Sequence, residues 1–255
     1  MLTMELLLVA GVGLFAGFLN TVAGGGSLLS LPVLIFLGLD PVVANGTNRV
    51  AILFQNVSGV LAFRHEGIFP WRVGLSLAVP AALGSLLGSQ IAVSISGALF
   101  NRVLAVVMLG VVAYSLWRSR RRHDSGTAPT LEGKMRWIAP LAFFLVGVYG
   151  GFIQAGVGFL ILAALAGLCR TDLVHANALK VFVVLVYTTV ALAMFVGYGK
   201  VAWPVGLSLA AGNALGAFVG ARFSLRRGAK WIERVVWLTV TAFAAKLFFA
   251  DGALS

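Results

Sequence analysis

Two cations lie inside apolar stretches of this chain, where a charged side chain calls for an explanation. Arg49 lies in the segment NGTNRV, between PVVA and AILFQNVSGVLAF, and Lys180 lies in HANALKVF. Asp40 followed by Pro41 is typical of a helix N-cap and first turn, so a helix is predicted to begin there. Arg49 is eight residues beyond Pro41 (49 − 41 = 8), which is roughly 12 Å along the axis. Because half of a bilayer core is about 15 Å thick, Arg49 is expected near the midplane, and Lys180 is expected to approach that depth from the opposite face.

An ionisable side chain at this depth predicts a functional site. It costs about 2.5 to 3.5 kcal/mol on insertion scales and needs a partner. The eight acidic residues all fall in predicted loops or at helix ends, so none is expected to pair with either cation. A small mobile anion is the predicted partner. In the alternative, structural interpretation, the cation bonds the C-terminal carbonyls of a broken helix or extends to the interface, and does nothing else.

Two glycine-containing breaks are predicted to contribute neutral donors to the same site. AGGG at 23–26 and AGVG at 155–158 each separate a long apolar run from a short one. Helix N-termini attract anions, and glycine permits positive φ and close approach. In the alternative interpretation, the glycines serve kinks and packing, and the polar residues only satisfy broken backbone. The predicted site residues are Arg49, Lys180, Gly24, Gly25, Gly26, Ser27, Asn20, Gln154, Gly156, Gly158, Asn45, Thr47, Asn48 and Asn177.

The composition indicates an all-α integral membrane protein, a polytopic bundle of helices. Hydrophobic residues make up 60% of the 255 residues, charged residues 11%, and the mean hydropathy is +1.00. Soluble domains are roughly 45–50% apolar and 25% charged. Most apolar segments approach the roughly 20 residues that span a bilayer, whereas the second and seventh have the length of re-entrant pieces. The segments fall at about 6–23, 28–39, 41–63, 73–95, 98–117, 137–153, 159–169, 173–198, 203–221 and 231–250.

The first five segments and the last five are predicted to be copies of each other. A shift of 132 residues (172 − 40 = 132) places Asp40 on Asp172 and AGGG on AGVG. The same shift superimposes VGLSLA at 73–78 on an identical VGLSLA at 205–210. Similar composition gives scattered matches, but not an identical hexapeptide in so long a register. The repeats are predicted at 1–117 and 137–255, joined by a basic linker at 118–136.

The distribution of basic residues predicts how the two repeats are oriented. Short cytoplasmic loops of membrane proteins collect Lys and Arg, and the linker, RSRRRHDSGTAPTLEGKMR, is strongly basic. If the linker is cytoplasmic and each half crosses an odd number of times, only Arg102 and Lys200 remain outside. The repeats are then inverted, with about eight to ten membrane segments and both termini outside. Inverted repeats with broken helices are typical of secondary transporters.

Other functional classes find little support in the sequence. There is no nucleophile and base pair, P-loop or dinucleotide fingerprint, so we expect no enzyme, cofactor or nucleotide, and the basic loops are explained without nucleic acid. His65, His123 and His175 are scattered, so no metal site is expected. Gly84 and Gly88 have the spacing of a close helix contact. The expected partners are a small anion and the lipid bilayer, with homo-oligomerisation left open.

The segment GFLNTVAGGGSLLSLPVLIFLGLDPVVANGTNRVAILFQNVSGVLAF, with the repeated AGVGF…ALAGL…HANALKVF, resembles the TauE/SafE family of sulfite exporters and related membrane transporters. The resemblance covers nearly the whole chain. It implies a multi-pass transporter of the bacterial cytoplasmic (inner) membrane, acting on sulfite, sulfoacetate, thiosulfate or other organosulfur anions. It also implies that the glycine breaks, Asn48 and Arg49 lie at the site.

These observations together predict a secondary transporter of small sulfur-containing or organic anions that works by alternating access between inverted halves. Arg49 would supply the charge, and the glycine breaks would supply backbone donors. Two alternatives remain at this stage. One is a passive anion channel, and the other is a non-transporting membrane subunit that acts as a scaffold for a partner enzyme.

Overall fold

The computed structural model describes residues 2–23, 25–65, 67, 70–118, 131, 133–169, 171 and 173–224, and within these ranges it contains helices and no strand. The prediction of an all-α protein is confirmed. The helices begin and end within about four residues of the predicted segments. The tenth segment, at 231–250, and most of the linker lie outside the described residues. The helices are α1 (Leu2–Ala23), α2 (Ser27–Phe36), α3 (Pro41–His65), α4 (Trp71–Ser94), α5 (Gly97–Arg118), α6 (Met135–Phe152), α7 (Val157–Leu168), α8 (Leu173–Gly197) and α9 (Trp203–Ser224).

Four of the described helices, α1, α4, α6 and α8, are long and apolar enough to cross a membrane. The short helices α2 and α7 have 10 and 12 residues, which corresponds to roughly 15 and 18 Å of length. They fall well short of the roughly 30 Å hydrocarbon core, as predicted for the second member of each set. Helix α3 has 25 residues, but the polar run NGTNR in its first half lowers its hydropathy. It is long enough to span and too polar to face lipid along its whole length.

The start of α3 has the predicted cap. One carboxylate oxygen of Asp40 accepts the backbone N–H groups of Val42 and Val43, at 3.0 and 3.2 Å. These two donors have no partner inside the helix, so the carboxylate satisfies them and lies favourably at the positive end of the helix dipole. The cap therefore determines where α3 begins and, with it, which turns of the helix carry the polar run.

Glycines bring the long helices into close contact. A Cβ atom at Gly84 or Gly88 of α4 would overlap the backbone of α6, at the carbonyl oxygens of Phe144 and Val148. The prediction that this pair serves helix packing is confirmed. Small residues at such positions allow backbones to approach closely, which is how helices associate where water supplies no driving force. In the same way, Gly212 and Gly216 of α9 pack on α1.

The contacts also give the relative directions of the helices. Helices α4 and α6 run parallel, because Gly84 and Gly88 face Phe144 and Val148 in the same chain order. Helices α1 and α9 likewise run parallel. The first helix of each predicted repeat thus packs on the fourth helix of the other. This arrangement of contacts is symmetric, because it stays the same when the two repeats are exchanged.

Helices α3 and α8, which are equivalent in the predicted repeats, run antiparallel. A Cβ at Gly46, near the start of α3, would contact Phe195 near the end of α8. A Cβ at Gly59, late in α3, would contact Val181 early in α8. The early part of each helix therefore lies against the late part of the other.

The distribution of polarity is the reverse of that in a soluble protein. Large apolar side chains face outward, among them Trp137 and Leu141, which are 80% and 63% exposed. The interior is apolar for the most part, but it encloses a set of polar side chains that includes Asn45, Asn48 and Arg49. An apolar exterior suits lipid, and the buried polar residues lie where α3 meets the broken helices.

Candidate functional site

The site is built around the break between α6 and α7. Helix α6 ends at Phe152, and the chain then passes through Gln154 and Gly156, which have positive φ angles of 64° and 70°. Gly156 is in the left-handed conformation directly before α7, a backbone geometry that glycine adopts at little cost. The last turn of α6 is left with carbonyl oxygens that no intrahelical N–H can reach. These carbonyls are the acceptors around which the buried polar residues gather.

Arg49 is fully buried and bonds to this helix end. Its Nη1 donates to the carbonyl oxygen of Gly150 at 3.0 Å and to the side-chain oxygen of Gln154 at 2.8 Å. Its Nη2 donates to the carbonyl oxygen of Gly151, and its guanidinium carbon lies 4.8 Å from the centre of the Phe195 ring. The guanidinium thus complements the negative end of the α6 dipole. This geometry is the one that the structural interpretation predicts, in which the cation bonds the carbonyls of a broken helix.

The hydrogen bonds of Arg49 do not use all its donors or neutralise its charge. A guanidinium has five N–H donors, and the three acceptors just described are neutral oxygens. Within the described part of the chain, Nε has no hydrogen-bond partner. The side-chain nitrogen of Asn48, on the next residue, also has none and is buried. A buried cation therefore lies beside unused donors.

The face that α3 turns toward the break carries Asn45, Asn48 and Arg49, which have the i, i+3, i+4 spacing of one helix face. The side-chain nitrogen of Asn45 donates to the carbonyl oxygen of Phe152 at 2.7 Å. The side-chain oxygen of Asn48 accepts from the Ser30 hydroxyl of α2 at 2.7 Å. One turn of α3 therefore connects the end of α6 to the start of α2.

Thr47 lies on a different face of α3 and serves a different contact. Its hydroxyl oxygen accepts the backbone N–H of Ala202 at 2.9 Å, directly before α9 begins. It is fully buried. The structure therefore places Thr47 at the start of α9.

The break between α1 and α2 differs from its counterpart. Gly24 lies outside the described residues. Gly26 has an ordinary helical conformation, with φ of −58°. Its missing side chain serves close approach, because a Cβ would overlap the carbonyl oxygen of Ala16. Its N–H lies 3.4 Å from the side-chain oxygen of Asn20, a long hydrogen bond.

Part of the backbone that this first break exposes is used locally. The N–H groups of Leu28 and Leu29 donate to the carbonyl oxygens of Gly25 and Gly26, both at 3.0 Å. These turn-like bonds occupy two donors that were expected to face a ligand. The unused buried donors described above, Nε of Arg49 and the side-chain nitrogen of Asn48, both lie on α3.

The two breaks meet through Ser27, the first residue of α2. Its hydroxyl lies 3.4 Å from the carbonyl oxygen of Gln154, and it accepts the N–H of Gly156 at the same distance. Gly158 follows in the first turn of α7 and is half-buried. The N-terminal ends of the two short helices thus lie side by side, next to the break that Arg49 contacts.

Lys180 lies apart from Arg49. Its ammonium donates to the side-chain oxygen of Asn177, one turn back on α8, at 2.9 Å. Phe195, whose ring Arg49 contacts, is fifteen residues further along α8 (195 − 180 = 15), which is roughly 22 Å of helix axis. The expected convergence of the two cations is therefore not seen. The shift of 132 places Lys180 opposite Asn48, and the antiparallel packing of α3 and α8 puts such equivalent positions on opposite sides of the crossing.

Several residues at the site were not predicted from the sequence. The Thr188 hydroxyl accepts from the side-chain nitrogen of Gln154 at 3.0 Å. The Tyr149 hydroxyl donates to the carbonyl oxygen of Ala155, and Tyr187 is buried against Gly150. The available signal was a polar side chain within an apolar run, as in VGVYGGF and VLVYTTV. That signal is weak, because it does not say which helix the side chain faces.

The fold and this buried polar cluster define a multi-pass helical membrane protein with a polar site at a helix break. The family model described as "Sulfite exporter TauE/SafE" matches residues 9–247. The chain therefore belongs to the TauE/SafE family, as the resemblance predicted.

Relatives that share most of their length with this chain are named as transporters. "Probable membrane transporter protein ORF9" of Sinorhizobium sp. is 27% identical, over 91% of this chain and 88% of its own. A "Probable membrane transporter protein" of Haemophilus influenzae is 28% identical, over 94% and 93%. "Probable membrane transporter protein YfcA" of Escherichia coli K12 is 27% identical, over 93% and 87%. No solved structure matches the chain.

Proposed function

We propose that this protein is a secondary transporter of small anions of the sulfur oxyanion and organosulfonate class, which includes sulfite, sulfoacetate and thiosulfate. The observation that carries the proposal is the state of Arg49. Its guanidinium is fully buried, and its hydrogen-bond acceptors within the described residues are neutral oxygens; its Nε–H is unused, as is the side-chain nitrogen of Asn48, the preceding residue.

The chemistry of such a site favours an oxyanion. Carbonyl oxygens and the Phe195 ring offset part of the charge of the guanidinium, but dipoles do not cancel a full charge in a low-dielectric interior. An oxyanion would supply the missing charge, and its several oxygens can accept from more than one donor at once. Hydrogen bonds between ionised partners are shorter and roughly twice as strong as neutral ones. The family description and the transporter names of the relatives agree with this assignment.

The relative directions of the helices support a mechanism in which two inverted halves alternate. Equivalent helices α3 and α8 run antiparallel, whereas α1 and α9, and α4 and α6, run parallel. Two repeats that each cross the membrane an odd number of times produce this pattern if the second repeat is turned over. With the basic linker at 118–136 in the cytoplasm, both termini then face outward across the cytoplasmic membrane. The broken helices meet between the halves, where transporters of this type bind substrate.

The experiment is transport by purified protein in proteoliposomes. Sulfite, sulfoacetate and thiosulfate are offered on one side, with acetate as a carboxylate comparison, and uptake is measured with and without the same anion trapped inside. We expect saturable uptake of at least one sulfur anion and stimulation by the trapped anion. Uptake that rises linearly with concentration and shows no such counterflow would indicate a channel.

Substitution of Arg49 tests whether the transport depends on this site. Arg49→Gln keeps polarity and removes the charge, so uptake is expected to fall to the level of empty liposomes. Arg64→Gln is the matched control, because Arg64 lies on the same helix and is exposed, so uptake is expected to stay near that of the wild type. Undiminished uptake by Arg49→Gln would remove the guanidinium from the proposed mechanism.

A further inference from the structure

Gln154 has an unusual backbone conformation at the centre of the site. Its φ angle of 64° is the only positive φ of a non-glycine residue among those that the structure describes. The left-handed region is unfavourable for a residue with a Cβ, so other interactions have to hold Gln154 in place. Such strain at a binding site indicates that the conformation serves the ligand.

The side chain of Gln154 supplies those interactions. Its oxygen accepts from Nη1 of Arg49 at 2.8 Å, and its nitrogen donates to the Thr188 hydroxyl at 3.0 Å. The amide is fully buried and bridges α3 and α8. Both ends of the amide are therefore satisfied in this structure, and the amide oxygen occupies one donor of the guanidinium.

This amide is the most easily replaced of the three acceptors of Arg49. The other two are carbonyl oxygens in the last turn of α6, and they cannot move away unless the helix end unwinds. The side chain of Gln154 can turn about its own single bonds. An oxyanion is also a stronger acceptor for a guanidinium than a neutral amide, since its bond is charge-assisted on both sides.

We infer that Gln154 is an internal competitor of the substrate: its amide oxygen holds the position on Arg49 that an oxygen of the anion takes, and the arriving anion displaces it. This inference rests on the proposed function of the same site. Displacement separates the bridge between Arg49 and Thr188 and frees the strained backbone at the break. Gln154 is thus a specificity residue, because a neutral solute is no stronger an acceptor than the amide that it would have to displace.

Substitution of Gln154 with glycine tests the inference through the direction in which the affinity for the anion changes. Gln154→Gly removes the competing amide, and glycine adopts a φ of 64° without strain. The affinity for the anion is therefore expected to rise about fivefold, the equivalent of one net hydrogen bond. A residue that only contributes a contact to the ligand would produce the opposite change.

Substitution with glutamate gives a second, independent measurement. In Gln154→Glu, a carboxylate replaces the amide next to Arg49 and acts as a permanent internal anion. We expect a higher melting temperature without added anion and an affinity at least about tenfold lower. Gln90→Glu is the control for the added charge, because Gln90 lies exposed near the end of α4 and a carboxylate there can still accept the hydrogen bond of the Tyr198 hydroxyl; it is expected to change neither value.

Thermal melting of the detergent-purified proteins is titrated with thiosulfate, and separately with sulfite. If neither anion stabilises the wild type, the proposed function fails, and the inference fails with it. If an anion stabilises the wild type, but Gln154→Gly binds it no more tightly, only the role given to Gln154 is overturned. A folded Gln154→Glu that melts like the wild type and binds the anion equally well would also overturn that role. Tighter binding by the glycine variant, with a more stable and weakly binding glutamate variant, supports it.

Discussion

Replacing Arg49 with methionine would separate its contribution to folding from its role in anion binding. Methionine is flexible and of similar length, so it can fill the space without leaving a large cavity. The change removes three hydrogen bonds from a charged donor, to the carbonyls of Gly150 and Gly151 and to the side chain of Gln154. At about 1.5 kcal/mol for each, the low end for charged groups, the loss is about 5 kcal/mol.

An opposing term recovers much of that loss. A cation in the middle of a membrane costs about 3 kcal/mol on insertion scales, and methionine does not carry this cost. The expected net destabilisation of Arg49→Met is therefore about 2 kcal/mol. A change of this size leaves a membrane protein folded, whereas the binding of an anion should be lost entirely, because no other cation is bonded at this break in the described part of the chain.

The assay has two measurements on the same samples. The free energy of unfolding is measured by denaturant titration in mixed micelles, and melting is followed with and without thiosulfate or sulfite. Arg64→Met, at the exposed end of the same helix, is expected to match the wild type in both. Arg49→Lys keeps the charge but not the planar fork of donors, so it should retain a weakened response to the anion.

Two results would refute this reasoning. If Arg49→Met melts at a temperature that still rises with the anion, the buried guanidinium does not bind it. If both Arg49→Met and Arg49→Lys fail to fold while Arg64→Met folds, Arg49 acts chiefly as a cap for the end of α6. The structural interpretation would then be sufficient.

Two further predictions concern the scaffold. Gly88→Ala is expected to lower stability by about 1 to 3 kcal/mol, because the added Cβ would overlap the carbonyl oxygen of Val148 and push α4 away from α6. Gly110→Ala on α5 is the control, since nothing lies within 4 Å of an added Cβ there, and its melting temperature should stay the same or rise slightly. A cysteine introduced into the linker at 118–136 should react with a membrane-impermeant thiol reagent only after the cytoplasmic membrane is opened. Labelling of intact cells at that cysteine would overturn the predicted orientation.

Much of the fold was predictable because a membrane imposes a simple rule on sequence. A segment that crosses lipid must be apolar and helical, so apolar runs gave the helix positions directly. The capping residue Asp40 and the glycines at 84 and 88 also act locally, and their roles were read correctly from spacing alone. The partner of each helix was less accessible, since packing α1 on α9 joins residues about two hundred positions apart.

The candidate site was predictable only in part, because local spacing places residues on one helix face but does not say which helix packs against that face. The i, i+3, i+4 spacing of Asn45, Asn48 and Arg49 places them on one face without further information. Thr188 was missed, because its contact with Gln154 depends on how α8 packs against the break between α6 and α7, which nothing in the local sequence encodes. The depth argument placed Arg49 and Lys180 near the midplane from opposite faces, but α3 and α8 each have 25 residues and pack antiparallel, so positions early in each helix lie on opposite sides of the crossing.

Within the described residues, the two predicted repeats contain one fully buried guanidinium, that of Arg49, and this asymmetry bears on the proposed mechanism. The shift of 132 puts Val181 where a counterpart of Arg49 would lie, on the far side of the crossing between α3 and α8. An arginine there would add about 3 kcal/mol of burial cost and a second, separate attraction for the anion. A transporter must release its substrate, and a second strong binding position along the same path would hinder that release. Because Arg49 lies in the first predicted repeat and bonds the end of α6 in the second, the proposed movement between the halves would change the surroundings of this guanidinium directly.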